Sequence, residues 1–342
     1  MRQFHKLLLF LLACFATASC GGSAEQMRLT GSGASFPYPI YSTWFKSYSR
    51  ASDGVIIDYQ AKGSGAGIRD FINRTVDFAG SDAAMTDEEM AEVDGGVLLL
   101  PITAGEIVVA YNLPGLSTPL RLPRAVYPDI FLARITRWDD PAIAAANPGI
   151  DLPDLPITVV RRADSSGTTY AFSKHLAAIS ATWRDGPGVG KTVVWADTDK
   201  IVAAPKNDGV TATIMQTPGA IGYIEHGYAK FADVPMAALE NRQGVFVTPG
   251  SGGGGAALQS AELPDDMRVW VTDPDTADAY PIVTYTWLLV RREHGDSGKA
   301  QALVDLLEYC LTEGQQIAED MGYVPLPAHV VTRARAALAA IQ

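Results

Sequence analysis

The segment VVRRADSSGTTY, residues 159–170, gathers the residue types that hold an anion. A β-branched run leads into Arg161 and Arg162, a turn follows, and Ser166, Gly167 and Thr168 open a stretch that sets Phe172, Leu176, Ile179 and Trp183 on one helical face. Arginine presents a planar fork of donors that can grip an oxyanion at two points, and Asp164 is placed to hold that fork. Helix-start amides and hydroxyls add neutral donors where the helix dipole is positive. The combination suits a small tetrahedral oxyanion, although a capped helix beside a surface ion pair accounts for the same letters.

Two other junctions repeat the arrangement. In GSGAS, residues 31–35, Ser35 and the amide of Phe36 stand at a helix start, and in KGSGAG, residues 62–67, Gly63 and Gly65 let the backbone turn closely around Ser64. The second could be read as a dinucleotide fingerprint, with Asp82 about twenty residues on, but Ile68 occupies the position where tight helix packing needs the third glycine. Asp82, in VDFAGSDAA, is the odd member of an anion site. A carboxylate repels a fully ionised oxyanion, yet phosphate near neutral pH keeps a proton that a carboxylate can accept, and sulfate does not. Asp82 therefore reads as a specificity device, or as one more helix cap.

Other candidates carry less. DGPGVGKT, residues 185–192, lacks a nucleotide-binding loop's first glycine at Asp185, and it leaves a helix for the β-branched TVVWA instead of joining a strand to a helix. It reads as a turn. GDSG, residues 295–298, resembles a serine-protease nucleophile loop but reads as a polar cap on the next helix. The five histidines are scattered without ligand spacing, so neither a metal site nor a cofactor is expected.

These junctions need a scaffold of alternating strands and helices, which the pattern from residue 27 onward supplies, and the fold class is α/β with mostly parallel sheets. A chain of 342 residues accommodates two domains at about 100 to 200 residues each. Long apolar strands are expected in GVLLLPITAGEIVVAYNLPG and YPIVTYTWLLVRR, and helices over 168–183, 299–321 and 328–341, with Cys310 buried in the second of these. TPGSGGGGAALQS, residues 248–260, reads as a flexible surface loop. At the N-terminus, Arg2 and Lys6 precede an apolar run from Leu7 to Phe15, the form of a signal peptide over residues 1–19, and Cys20 after Ala18 and Ser19 resembles a lipoprotein cleavage box. A competing box ends at Cys14, and an ordinary secretory signal is the third possibility. Without Arg2 and Lys6, 25 basic residues face 38 acidic ones, a charge of −13 that does not attract nucleic acid or anionic lipid.

Taken in order, GSGASFPYPIYSTWF, YQAKGSGAG, TVDFAGSDAAMTDE, ITRWDDPAIAAANPG, VVRRADSSGTTYAF and TPGAIGYIE resemble the PstS family, the substrate-binding proteins of high-affinity bacterial phosphate ABC transporters. The resemblance runs from about residue 28 to the C-terminal helices and is weakest over about 233–280. It implies a two-lobed periplasmic-binding-protein fold, with residues 27–111 and 283–342 as lobe I, 112–282 as lobe II, and hinge crossings near 105 and 287. It further implies phosphate contacts at Ser35, Phe36, Ser64, Asp82, Arg162, Ser166, Gly167 and Thr168, with Asp164 orienting Arg162. Ser35 stands where threonine is also common, and Ala66 where glycine or serine is often found. The implied protein is an extracytoplasmic monomer, anchored by lipid if Cys20 is acylated, that hands phosphate to a membrane permease. An exported phosphatase using the same pocket is the alternative, but no activated nucleophile or metal set is visible in the sequence.

Overall fold

The computed structural model describes residues 26–342 except 53 and 117. The segment expected to be a signal peptide, with Cys14 and Cys20, lies outside the described residues.

Short apolar runs ending at glycine or serine become strands that hand over to helices. The strands are β1 (Met27–Gly33), β2 (Val55–Ala61), β3 (Phe78–Ser81), β4 (Val97–Tyr111), β5 (Arg121–Leu122), β6 (Thr158–Arg162), β7 (Ile201–Ala204), β8 (Ala220–Glu225), β9 (Ala238–Glu240), β10 (Phe246–Val247) and β11 (Val283–Arg291). Eight of them form one sheet in the order β2-β1-β3-β11-β4-β8-β6-β7, and β10-β9-β5 form a second, small one. The outer strands pair in parallel, as βαβ crossovers require, whereas β4 and β11 run antiparallel to their neighbours, so the whole sheet is mixed.

β4 organises the molecule. All 15 of its residues are buried, as expected of a strand covered on both faces. Val97–Glu106 pair with β11, and from Ile107 to Tyr111 the partner becomes β8. At that change Ile107 donates its amide to the carbonyl of Ile282, just before β11 begins, at 2.9 Å.

The helices follow their sequence signals with local differences. The stretch 168–183 forms two helices, Gly167–Ile179 and Ala181–Asp185, because Ser180 leaves helical geometry and caps the second through the amide of Trp183. The helix expected over 299–321 spans Ser297–Leu311 and gives way to a 3₁₀ turn at Glu313–Ile317, and that expected over 328–341 spans Ala328–Ala337 before a similar turn. Asp296, in GDSG, caps the first of these by accepting from the amides of Gly298 and Lys299. Cys310 is buried and free.

Two expectations fail. TVVWA is not a strand, because the edge position beside β6 is taken by β7 through the pairing of Val159 with Ile201. Instead Trp195 stacks on Tyr223, with ring centroids 6.1 Å apart. The glycine run at 250–255 is not a loose loop either. Gly253 and Gly254 are buried at the start of the helix Gly253–Gln259, and the amides of Gly250 and Gly254 bind the buried carboxyl of Glu106 at 2.7 and 2.8 Å. Glycine is needed for contact here, since a Cβ on Gly254 would lie 2.4 Å from Val324 Cγ2 and 3.0 Å from Glu106 Oε1. Its neighbour Gly255 has nothing within 4 Å. Gly254→Ala is therefore expected to lower the denaturant midpoint of unfolding by the equivalent of about 1–3 kcal/mol, whereas Gly255→Ala, in the same helix, is expected to raise it by about 0.5–1 kcal/mol. Equal effects at the two positions would contradict the packing described.

Candidate functional site

Four strand ends converge on one buried cluster. Ser35 follows β1, Ser64 begins the helix after β2, Asp82 follows β3, and Arg162 ends β6 ahead of the helix that starts at Gly167. Ser35, Phe36, Ser64, Asp82, Arg162, Ser166, Gly167 and Thr168 are all buried. The junctions singled out in the sequence meet in space.

Arg162 is the charged centre, with a side chain only 1% exposed. Its Nε and Nη2 donate to the two carboxyl oxygens of Asp164 at 2.9 and 2.5 Å, and its Nη1 donates to Thr168 Oγ1 at 3.1 Å. A guanidinium has five N–H groups, so these three bonds leave two free to meet an anion. Arg161, by contrast, is half-buried and turns back to the carbonyl of Arg162. Asp164 is fixed in turn by the amide of Lys206 at 2.8 Å. Burial works to raise its pKa, but the bonds and charge of Arg162 outweigh that and hold Asp164 below the ordinary carboxylate value.

Asp82 behaves oppositely. Burial pushes its pKa up to about 7, against the bond from Thr286, the charge of Arg162 and the hydroxyl of Ser64. Thr286 Oγ1, on β11, donates to it at 2.9 Å.

Ser64 ties the groups together. Its hydroxyl oxygen accepts from the amides of Asp82 at 3.2 Å and Gly167 at 3.1 Å, and beside it the amide of Gly65 donates to the carbonyl of Ser165 at 3.1 Å. The approach is too close for side chains: a Cβ on Gly167 would lie 2.5 Å from Ser64 Oγ, and one on Gly63 would lie 2.4 Å from an Asp164 oxygen. Gly63 also has a φ of +95°, a conformation that glycine adopts readily. Ser166 caps its helix through the amide of Thr169 at 3.0 Å, and its own amide donates to the carbonyl of Lys191. The DGPGVGKT turn thus packs on the site, and Lys191 reaches Glu89 at 2.5 Å in the capped acidic turn after β3.

Some members of the cluster carry little signal in the sequence. Asn207, fully buried at the start of the helix Lys206–Gln216, bonds both Ser35 and Thr168. KNDG after the strand IVAA is a fifth strand-to-helix junction, which was the available signal. Thr286 had none, being one inward position in a strand buried throughout. Tyr228 and Tyr323 donate to the carbonyls of Ser35 at 2.6 Å and Phe36 at 2.8 Å. Among the described residues no group of three or more His, Cys, Asp or Glu is placed to hold a metal ion. The cluster offers directed donors, one cation and one protonatable acid, which is equipment for holding an oxyanion that bears a proton.

Known proteins share this architecture. A family model for the PBP superfamily domain matches residues 18–312. The phosphate-binding protein PstS of Xylella fastidiosa is 35% identical over 327 residues, covering 94% of this chain and 88% of that protein. PstS of Pasteurella multocida is 34% identical, covering 98% and 95%, and PstS of Methanocaldococcus jannaschii is 37% identical, covering 87% and 82%. Among solved structures, a high affinity periplasmic phosphate-binding protein bound with phosphate superposes with a TM-score of 0.76 at 23% identity, covering 91% of this chain and 94% of that one. A phosphate-binding protein from Stenotrophomonas maltophilia gives 0.73 at 19% identity, covering 91% and 93%. These two show the shared two-lobed fold, and with the matches along nearly the whole sequence they establish that this chain belongs to the PBP superfamily and, within it, to the PstS family.

Proposed function

We propose that the chain is an extracytoplasmic solute-binding protein that captures one inorganic phosphate ion between two lobes and delivers it to the permease of an ABC transporter. The observation that carries this reading is the buried, protonatable Asp82 in the same cluster as the buried Arg162. Arg162, the amides and the hydroxyls favour any small oxyanion, whereas Asp82 favours one that still carries a proton. The contact set is Ser35, the amide of Phe36, Ser64, Asp82, Arg162, Ser166, Gly167 and Thr168, with Asp164 orienting the arginine. The names and coverage of the relatives support the ligand and the role. The role is capture and release, with no bond of the ligand made or broken.

In this reading lobe I comprises 27–111 and 283–342, and lobe II comprises 112–282. The exchange of β4's partner between Glu106 and Ile107, together with the start of β11 at Val283, supports chain crossings at those points. Ser35, Ser64 and Asp82 then belong to lobe I, and Arg162 through Thr168 to lobe II. An anion touching both sets binds the closed form better than the open one, and that difference drives closure. Export, and anchoring through Cys20, belong to the same reading and concern residues outside those described.

Calorimetric titration of the ligand-free protein tests the assignment. At pH 8 the expected result is one-to-one binding of phosphate and rejection of sulfate. As pH falls through about 7, Asp82 gains a proton that it can donate, and the preference over sulfate is expected to narrow. Asp82→Asn, whose amide can donate at every pH, is expected to reduce the preference at pH 8 by roughly 100-fold. Absent phosphate binding, or equal affinity for sulfate in the unaltered protein, would refute the assignment, and turnover of a chromogenic phosphate ester would favour an enzyme instead.

The same carboxyl sets a stability profile. The folded state keeps the Asp82 proton up to about pH 7, whereas the unfolded chain releases it near the ordinary value of 3.8. Its stabilising contribution is thus greatest below that value and is lost as pH rises through about 7. Asp82→Asn is expected to raise the melting temperature of the ligand-free protein at pH 8, by up to about 4 kcal/mol in stability, with the gain shrinking as pH falls toward 4. A variant less stable than the unaltered protein at pH 8 would contradict this electrostatic account.

A further inference from the structure

We propose that Asn207 is a positioning residue that fixes the hydroxyl protons of Ser35 and Thr168 so that both side chains must donate to the bound oxyanion. The proposal rests on the phosphate-binding reading and adds to it a mechanism for the polarity of the site. A hydroxyl is ambivalent: it can give one hydrogen bond or accept two, and an anion site is served only by giving. Nothing in a serine or threonine alone settles which it does.

The bonds around Asn207 settle it. The amide of Glu225 lies 3.0 Å from Asn207 Oδ1, and a backbone N–H can only donate, so that oxygen faces Glu225 and the Nδ2 group faces the other way. Nδ2 carries two hydrogens. One goes to Ser35 Oγ at 3.1 Å and the other to Thr168 Oγ1 at 3.3 Å. Ser35 Oγ also accepts from the backbone amide of Asn207 at 3.2 Å, and Thr168 Oγ1 also accepts from Arg162 Nη1 at 3.1 Å. Each oxygen therefore has both lone pairs engaged, and each O–H is left to point elsewhere. One carboxamide thus sets two donors.

Asn207 is held hard enough to do this. Lys206, immediately before it, has a φ of +59°, a strained conformation for a residue with a side chain, and its amide is tied to Asp164. The charged and titratable groups of the surrounding elements are already engaged. Arg162 and Asp164 hold each other, Glu225 accepts from the amides of Gly227 and Tyr228, and Asp82 accepts from Thr286. Tyr228 gives its own proton to the Ser35 carbonyl. In Asn207→Asp, by contrast, the ionised carboxylate would accept from Ser35 and Thr168 and draw their protons away from the site.

The test is phosphate titration by calorimetry of the unaltered protein, N207A, N207D, S35A and N207A/S35A at pH 8 and pH 5.5, with ligand-free melting as the check on folding. N207A is expected to lose roughly 10- to 100-fold in affinity, and adding S35A is expected to cost clearly less than S35A costs alone, because Asn207 acts partly through that hydroxyl. N207D is expected to be weaker than N207A at pH 8. Its deficit relative to the unaltered protein at the same pH should narrow at pH 5.5, where a protonated side chain can donate again. Strictly additive losses, or N207D no weaker than N207A, overturn the proposal while phosphate binding by the unaltered protein stands. Failure of the unaltered protein to bind phosphate overturns the underlying reading as well, and the two failures are told apart by that one titration.

Discussion

A guanidinium shut away from water is the constraint around which the rest of the site is arranged. Burying an unpaired cation is costly, and Arg162 is tolerated at 1% side-chain exposure because Asp164 grips it at two points. That grip has its own requirements. Asp164 accepts from the amide of Lys206, a residue with a φ of +59°, and it needs the space that Gly63 leaves by having no side chain. The ends of β2, β6 and β7 are therefore adjusted to one another through a single ion pair. None of these adjustments is explained by the stability of the strands themselves.

The two carboxyls near Arg162 show how position assigns protonation. Both are desolvated, and burial alone would raise both. Asp164 lies in the plane of the fork, where direct bonds outweigh the burial penalty, whereas Asp82 sees Arg162 only as a charge at a distance and stays raised to about 7. One acid thereby serves as a permanent counter-ion and the other as a group that exchanges a proton near neutrality. An opposite assignment would leave the arginine uncompensated and would remove the proton exchange on which the proposed discrimination depends.

The sequence was most legible where structure is local. Ser64 and the run Ser166, Gly167 and Thr168 stand at strand-to-helix junctions, whose chemistry is written in adjacent residues. Asn207 stands at a junction of the same kind but is polar without being charged or hydroxylic, so its type alone announced nothing. Thr286 reaches Asp82 only through the pairing of β11 with β3, a relation between residues more than two hundred apart. Long apolar runs announced β4 and β11 as strands, but strand direction is a property of partners and was not in the letters. Composition misled twice: TVVWA has strand residues but the place beside β6 is taken by β7, and the glycine run has the composition of a flexible linker but opens a helix in which Gly254 is glycine because Val324 and Glu106 leave room for nothing larger.

The eight strands make one uninterrupted hydrogen-bonded surface, with β4 passing from one set of neighbours to the other. On the proposed reading the two lobes are halves of this one surface, so that closing them has to turn the sheet where β4 changes partner, between Glu106 and Ile107. The joint of the molecule is then a strand with its pairing intact, and the articulation is shared among paired residues where a loop would have concentrated it in a few.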